Sequence, residues 1–235
     1  ARGRRRRRRG GACGAGAARR RPLPSALLQS LALTIDFDAR VVSGTAIWTL
    51  AVVEAGAGVE AWFDTHGLAV ERARVHGVPA AHALDAAHPV LGRRLRVSLP
   101  EGLAAGDEVE VGIDYSTTAA STALQWLAPA QTADGHHPFL FSQCQAIHAR
   151  SMVPVQDAPG VKFTYDARVT LPADLTPLMS AIMEDGSGVD AGGDTATATT
   201  TSTFTFRQPV PLSPYLLALA AGRLEKADIS PRIAI

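Results

Sequence analysis

From residue 30 onward, apolar and polar residues take turns at every second position, and this period of two is what most narrows the folds open to the chain. Leu31, Leu33, Ile35 and Phe37 fall on one side of an extended segment, with Ala32, Thr34, Asp36 and Asp38 on the other. A β-strand sends successive side chains to opposite faces, so this pattern buries one face and leaves the other to water. Residues 38–40 read as a turn. In 42–53 beyond it, Ala46, Trp48, Leu50 and Val52 share a face and Gly44 reads as a bulge or bend. Two such segments joined by a short turn predict an antiparallel pair. The signal returns at 59–63, 68–76 and 95–99. It is clearest at 108–115, with Val109, Val111, Ile113 and Tyr115 inward, and at 162–171, with Phe163, Tyr165, Ala167, Val169 and Leu171 inward. Residues 195–206 are rich in threonine, whose branched β-carbon favours extended chain. Pro100, Gly102, Gly106, Pro172 and Pro177 punctuate the segments. No stretch holds a 3.6-residue period for more than about ten residues. The expectation is an all-β protein, an antiparallel sandwich or related sheet assembly.

Charge is unevenly placed. Residues 1–22 carry ten arginines and no acid; removing those ten from the 23 basic residues leaves 13 against 22 acids, a net charge of −9 for the rest. An arginine run of this kind can hold nucleic-acid phosphates, but the tail has no aromatic side chain to stack on bases. It can belong to an organellar transit peptide, but it has no serine and its unbroken arginines make a poor amphipathic helix. The reading kept is a disordered tail over 1–22, or the translated edge of an incomplete gene, attached to one domain over 23–235; nucleic acid is not the expected partner. Of the two cysteines, Cys13 lies in the tail and only Cys144 in the body, so no disulfide staples the fold. A reducing, cytoplasmic setting fits. No apolar run reaches the roughly 18 residues that span a bilayer, so no membrane partner is expected.

The chemically dense part is 139–157, where Ser142, Gln143, Gln145, His148, Arg150, Gln156 and Asp157 alternate with Phe, Leu, Ile, Met and Val. Polar groups set among apolar ones are costly to bury without partners, and such mixtures line clefts. Read by themselves, Gln143 and Gln145 are better assigned to satisfying buried backbone groups. Arg150 and Asp157 read as a structural pair. The seven histidines include no His-Glu-x-x-His, so no zinc site is spelled out. Ser142 and Ser151 near His148 invite a nucleophile reading, but the Gly-x-Ser-x-Gly elbow and its α/β setting are absent. The Gly/Asp-rich run 184–194 does not match a calcium loop and reads as a hairpin connection.

As a string, Ser142-Gln-Cys-Gln-Ala-Ile-His148 with Arg150 resembles the leukotriene A(4) hydrolase group of the zinc aminopeptidases of the aminopeptidase N family. The segments 162–181 and 208–232 extend the likeness, and 209–222 looks like the strand that closes that family's N-terminal domain. The resemblance implies a saddle-shaped, sandwich-like antiparallel N-terminal β domain packed over a thermolysin-like zinc domain. It places Gln145 and Ala146 in the substrate wall, with Gln143 as a further candidate left undecided between wall and fold. It implies zinc in a catalytic domain that this sequence does not contain, a peptide N-terminus as substrate, and that catalytic domain as partner. Met183 and Glu184 lack the Gly and Asn of the family's exopeptidase motif and are not assigned to it. The function expected is the non-catalytic substrate-cleft domain of a zinc aminopeptidase, with epoxide hydrolysis as an additional activity of the group. The alternative is a stand-alone β-sandwich binding module.

Overall fold

The computed structural model describes residues 26–53, 56, 58–190, 200–225, 227–230 and 233–234. The tail over 1–22 and the first part of the threonine-rich segment, 195–199, lie outside them. In chain order the strands are β1 (Ala26–Asp36), β2 (Val41–Ala51), β3 (Glu60–Thr65), β4 (Leu68–Val75), β5 (Val78–Pro79), β6 (His82–Leu84), β7 (Arg93–Ser98), β8 (Glu108–Thr117) and β9 (Leu124–Leu127). They continue with β10 (Phe139–Ser142), β11 (Phe163–Pro172), β12 (Thr176–Met179), β13 (Ile182–Met183), β14 (Val189–Asp190), β15 (Thr201–Leu212), β16 (Leu219–Gly222), β17 (Asp228–Ser230) and β18 (Ile233–Ala234). The helices among the described residues are three single 3₁₀ turns, at 129–131, 149–151 and 214–216.

Three sheets build the body. The large one runs β13-β15-β11-β1-β2-β8-β4-β5, with β14 also on β15; a four-stranded sheet runs β12-β16-β10-β9; a three-stranded sheet runs β3-β7-β6. The alternation read from the sequence sets which face is buried. Leu31, Leu33 and Ile35 of β1, Ala46, Trp48 and Leu50 of β2, Val109 to Tyr115 at alternate positions of β8, and Phe163 to Leu171 at alternate positions of β11 are all buried. They join Phe63, Leu95 and Val97 of the three-stranded sheet and Leu140, Leu219 and Ala221 of the four-stranded sheet in one apolar cluster. Trp48 stands at the junction, its ring 5.8 Å from Phe63 and 5.2 Å from Phe163 between centroids. Apolar area removed from water at this junction is the main term that holds the sheets together.

Three features depart from the sequence reading. The pairing of β1 with β11 is parallel, the one such pairing among those described; the rest are antiparallel. Alternation alone does not encode strand direction, which follows from the long connection between them. Gly44 is neither bulge nor bend, because it stays in register with Leu33. It is required for close approach: a β-carbon there would fall 1.8 Å from the Ala32 carbonyl oxygen, and its φ is +154°. Finally, the closing segment divides. β15 runs on through Pro209 to Leu212, the 214–216 turn intervenes, and β16 joins a different sheet. Proline is tolerated there because it lies toward the end of β15, past the residues that pair with β13.

Gly44→Ala and Gly102→Ala separate backbone strain from collision. Both glycines have positive φ, but nothing lies within 4 Å of a β-carbon at Gly102. Gly102→Ala should cost about 1–2 kcal/mol and Gly44→Ala more than about 3 kcal/mol, since the neighbouring strand must move. Urea unfolding of both variants measures this, and equal losses would contradict the close-approach assignment.

Candidate functional site

The site is built on β10. Leu140 points into the core, so Phe139 and Phe141 point out. Ser142 Oγ accepts the Leu219 N–H at 2.8 Å, and the Gln143 N–H donates to the Ala123 carbonyl at 2.8 Å, which ties the end of β10 to both neighbouring segments. The chain then turns out of the sheet. Gln143 Oε1 accepts the Gln145 N–H at 2.9 Å, the peptide between Gln145 and Ala146 is cis, and the His148 N–H donates to the Cys144 carbonyl at 2.9 Å. Cys144 is buried, whereas Gln143, Gln145 and Ala146 are exposed. Among the described residues, the side-chain amide of Gln145 makes no hydrogen bond within the chain, while that of Gln143 is engaged in shaping the turn.

The segment after the turn is buried without a break from Ala149 to Asp157. Ser151 Oγ accepts the Thr122 and Ala123 N–H groups at 3.1 and 2.9 Å and donates to the His148 carbonyl at 2.8 Å. His148 Nδ1 meets Thr122 Oγ1 at 2.7 Å. Arg150, 5% exposed, donates through Nε to Asp157 Oδ2 at 3.0 Å, through Nη1 to the Leu91 carbonyl at 3.0 Å, and through Nη2 to the Asp157 carbonyl at 3.1 Å. Asp64 Oδ2 accepts the Asp157 N–H at 3.0 Å and lies 3.6 Å from Arg150 Nη2. The structural pairing of Arg150 and Asp157 read from the sequence is therefore present, and Asp64 and Leu91 join it from far along the chain. Gln156 is buried as well, with Nε2 donating to the Trp62 carbonyl at 3.3 Å.

Burial raises the Asp157 carboxyl above its ordinary range, against the hydrogen bonds and charge of Arg150, which pull it down. Burial, helped by the negative Asp157, pushes the Cys144 thiol up to about 12, so it stays protonated and unreactive at neutral pH. Ser142 and Ser151 spend their hydroxyls on backbone groups, so neither serves as a nucleophile beside His148. His137 lies between two carboxylates, with Nδ1 2.6 Å from Asp134 and Nε2 3.2 Å from Asp174. Among the described residues, no three His, Cys, Asp or Glu side chains come together in a way that could hold a metal ion, so zinc has no fit here. The arrangement sets exposed Gln143, Gln145 and Ala146 over a buried segment whose serines, arginine and aspartate are hydrogen-bonded within the chain.

The sequence pattern presents 139–157 as one polar segment, which the structure divides. The exposed turn and the buried brace beneath it differ through Ala123, Leu91 and Asp64, partners that spacing along the chain does not reveal. It also missed the outward Phe139 and Phe141, although their place two apart around Leu140 was the available signal.

The Peptidase M1 N-terminal domain family model matches residues 26–216. Leukotriene A-4 hydrolase of Xenopus laevis is 39% identical over 205 residues, which are 87% of this chain and 32% of that protein. Leucine aminopeptidase 2 of Neurospora crassa is 38% identical over 200 residues, 85% of this chain and 29% of that protein. The chain thus spans about a third of the length of these relatives. Among solved structures, yeast LTA4 hydrolase in complex with bestatin superposes with a TM-score of 0.76 at 32% identity, covering 90% of this chain and 30% of that one. An M1 zinc metallopeptidase from Deinococcus radiodurans bound to Tyr-Ser-Ala shares the fold, with a TM-score of 0.67 at 21% identity, over 87% and 43% of the two chains.

Arg150→Met should cost about 3–5 kcal/mol at neutral pH, because it strands the Asp157 carboxylate in the interior. Arg150→Met with Asp157→Leu should recover more than half of that loss. An acid whose folded pKa is raised favours the folded state below its unfolded pKa and loses that advantage as pH rises. The deficit of the single variant should therefore shrink as pH falls toward 4. Denaturant titrations from pH 4 to 7 read both effects; a pH-independent deficit unrelieved in the double variant would contradict the assignment.

Proposed function

The chain belongs to the Peptidase M1 N-terminal domain family, and from that premise we propose that it forms the substrate-facing wall of a zinc-dependent aminopeptidase. In this reading zinc and the reacting groups reside in a catalytic domain outside these residues, and Gln145 and Ala146 line the substrate. The observation that carries it is the contrast at the turn: Gln145 presents a free, exposed amide, while Arg150, Ser151 and Asp157 beneath it are buried and hydrogen-bonded. A primary amide both donates and accepts, so Gln145 can hold the amino end or the first peptide group of a substrate. Ala146 leaves room for a side chain. Gln143 acts one step back, by fixing the Gln145 backbone. A brace built from Arg150, Ser151 and Cys144 keeps the wall from yielding, which is what orientation of a substrate requires.

A peptide is the substrate class that fits, in line with the Tyr-Ser-Ala bound to the Deinococcus radiodurans neighbour. A cytoplasmic setting accords with a free, buried Cys144. No described helix is long and apolar enough to cross a membrane.

In the protein assembled with its zinc domain, Gln145→Ala should lower kcat/KM for peptides about threefold to tenfold, the effect of losing one hydrogen bond to a neutral group. Melting temperature and zinc content should stay as they were, since the side chain supports nothing in the fold. Steady-state kinetics beside thermal melting tests this, and unchanged kinetics would remove Gln145 from the wall. The 235-residue chain by itself should bind no stoichiometric zinc and release no amino acid from aminoacyl substrates. Metal analysis by plasma mass spectrometry with an aminopeptidase assay checks it; one tightly held zinc with turnover would refute it.

A further inference from the structure

Strand β7 carries three arginines, and two of them have acid partners. Arg94 Nε lies 3.9 Å from Asp85 Oδ2 with its guanidinium over the Trp62 ring, and Arg96 pairs with Asp85 at 2.7 Å and Glu60 at 3.2 Å. Arg93 stands opposite Thr65 on the other face, which it shares with the buried Leu95. Among the described residues, no carboxylate lies within ion-pair distance of Arg93.

Arg93 borders a hollow of about 320 Å³ between the β3–β4 turn and the connection from β6 to β7. His66 and His88 border it too, Leu68 and Leu84 give it an apolar wall, and no described Asp or Glu lines it. In a body with more acids than bases, a wall with basic groups and no acid singles out this spot.

The walls are fixed before anything binds. His88 Nδ1 accepts the Val90 and Leu91 N–H groups at 3.1 and 3.0 Å, which leaves its proton on Nε2 as a donor. The His88 and Gly92 backbones bond each other in both directions, at 2.7 and 3.0 Å, and close the loop. A β-carbon at Gly92 would fall 2.1 Å from the Thr65 carbonyl oxygen, and one at Gly67 2.9 Å from the Ala120 side chain, so both sides of the hollow are held against neighbouring chain. The hydroxyls of Thr65 and Thr118 donate to the Arg93 and Gly67 carbonyls at 2.9 and 2.7 Å, so neither is a spare donor. What remains is one guanidinium, two imidazoles and an aliphatic wall. A guanidinium matches the two oxygens of a carboxylate. Phosphate sites are built instead from clustered backbone N–H groups, and the Gly92 N–H is already spent on His88. The volume sits at the small end of ligand pockets, roughly 300–1,000 Å³.

We propose that this hollow is a binding site for a small organic carboxylate, with the acid group on Arg93, His66 and His88 and the carbon chain against Leu68 and Leu84. None of these residues belongs to the Gln145 turn, so the site stands whether or not Gln145 lines a substrate.

Hexanoate is the probe, with hexanol and inorganic phosphate beside it, in calorimetry on the 235-residue chain. Hexanoate should bind saturably, hexanol not at all, and phosphate at least tenfold more weakly. Arg93→Gln should weaken hexanoate at least tenfold, the effect of losing charge-assisted hydrogen bonds. Arg94→Gln removes the same charge from the opposite face and should bind within about twofold of the parent. In NMR spectra the ring signals of His66 and His88 should move with hexanoate while those of His136 and His137 stay. That readout needs only the parent chain, so it decides should Arg93→Gln fail to fold. No saturable binding, hexanol or phosphate as tight as hexanoate, equal losses at Arg93 and Arg94, or ring signals that move only elsewhere overturns the proposal.

Discussion

The buried pair of Arg150 and Asp157 is the constraint on which the rest of the site depends. Taking two charges out of water costs several kcal/mol each, and their attraction offsets this only when the remaining hydrogen-bonding capacity is also met. Here the Leu91 and Asp157 carbonyls accept from the guanidinium, and the Arg150 backbone N–H donates to Asp157 Oδ2. Leu91 lies before β7, and Asp64, 3.6 Å from Arg150 Nη2, lies in β3, so one guanidinium ties the 149–157 segment to two remote pieces of chain. An apolar pair of the same volume could hold them as firmly, but it would not fix their orientation, which planar, directional contacts do. Fixing the 149–157 segment fixes the exposed turn immediately before it.

In the proposed reading, that turn contributes position to the chemistry of another domain. None of its hydroxyls, its thiol or its histidine is placed to attack a substrate. What it provides is position. The backbone N–H of Gln145 is held by Gln143, its neighbour Cys144 is buried, and Ser151 ties the chain beyond to the residues just before β9.

Much of the fold was legible because burial and period two are local properties. Leu31, Leu33, Ile35, Trp48, Val111 and Val169 could be assigned inward from spacing alone, and all are buried. What escaped was decided by contacts distant in sequence. Gly44 reads the same whether it marks a bulge or admits the Ala32 carbonyl. The parallel course of β1 against β11 depends on how some 125 residues are routed between them. At the site, the resemblance pointed to Gln143, Gln145 and Ala146 together. Gln143 and Gln145 differ in which side-chain amide is occupied, and that is set by a turn geometry no pattern of residue types encodes.

The most direct test of the central claim is a crystal structure of the chain assembled with its zinc domain and bound to a peptide-like inhibitor. The account predicts the Gln145 side-chain amide within about 3.2 Å of a polar atom at the inhibitor's amino end. It also predicts that the brace of Arg150, Asp157 and Asp64 is unchanged. An inhibitor seated on the zinc with Gln145 turned to solvent and the turn rearranged would contradict it.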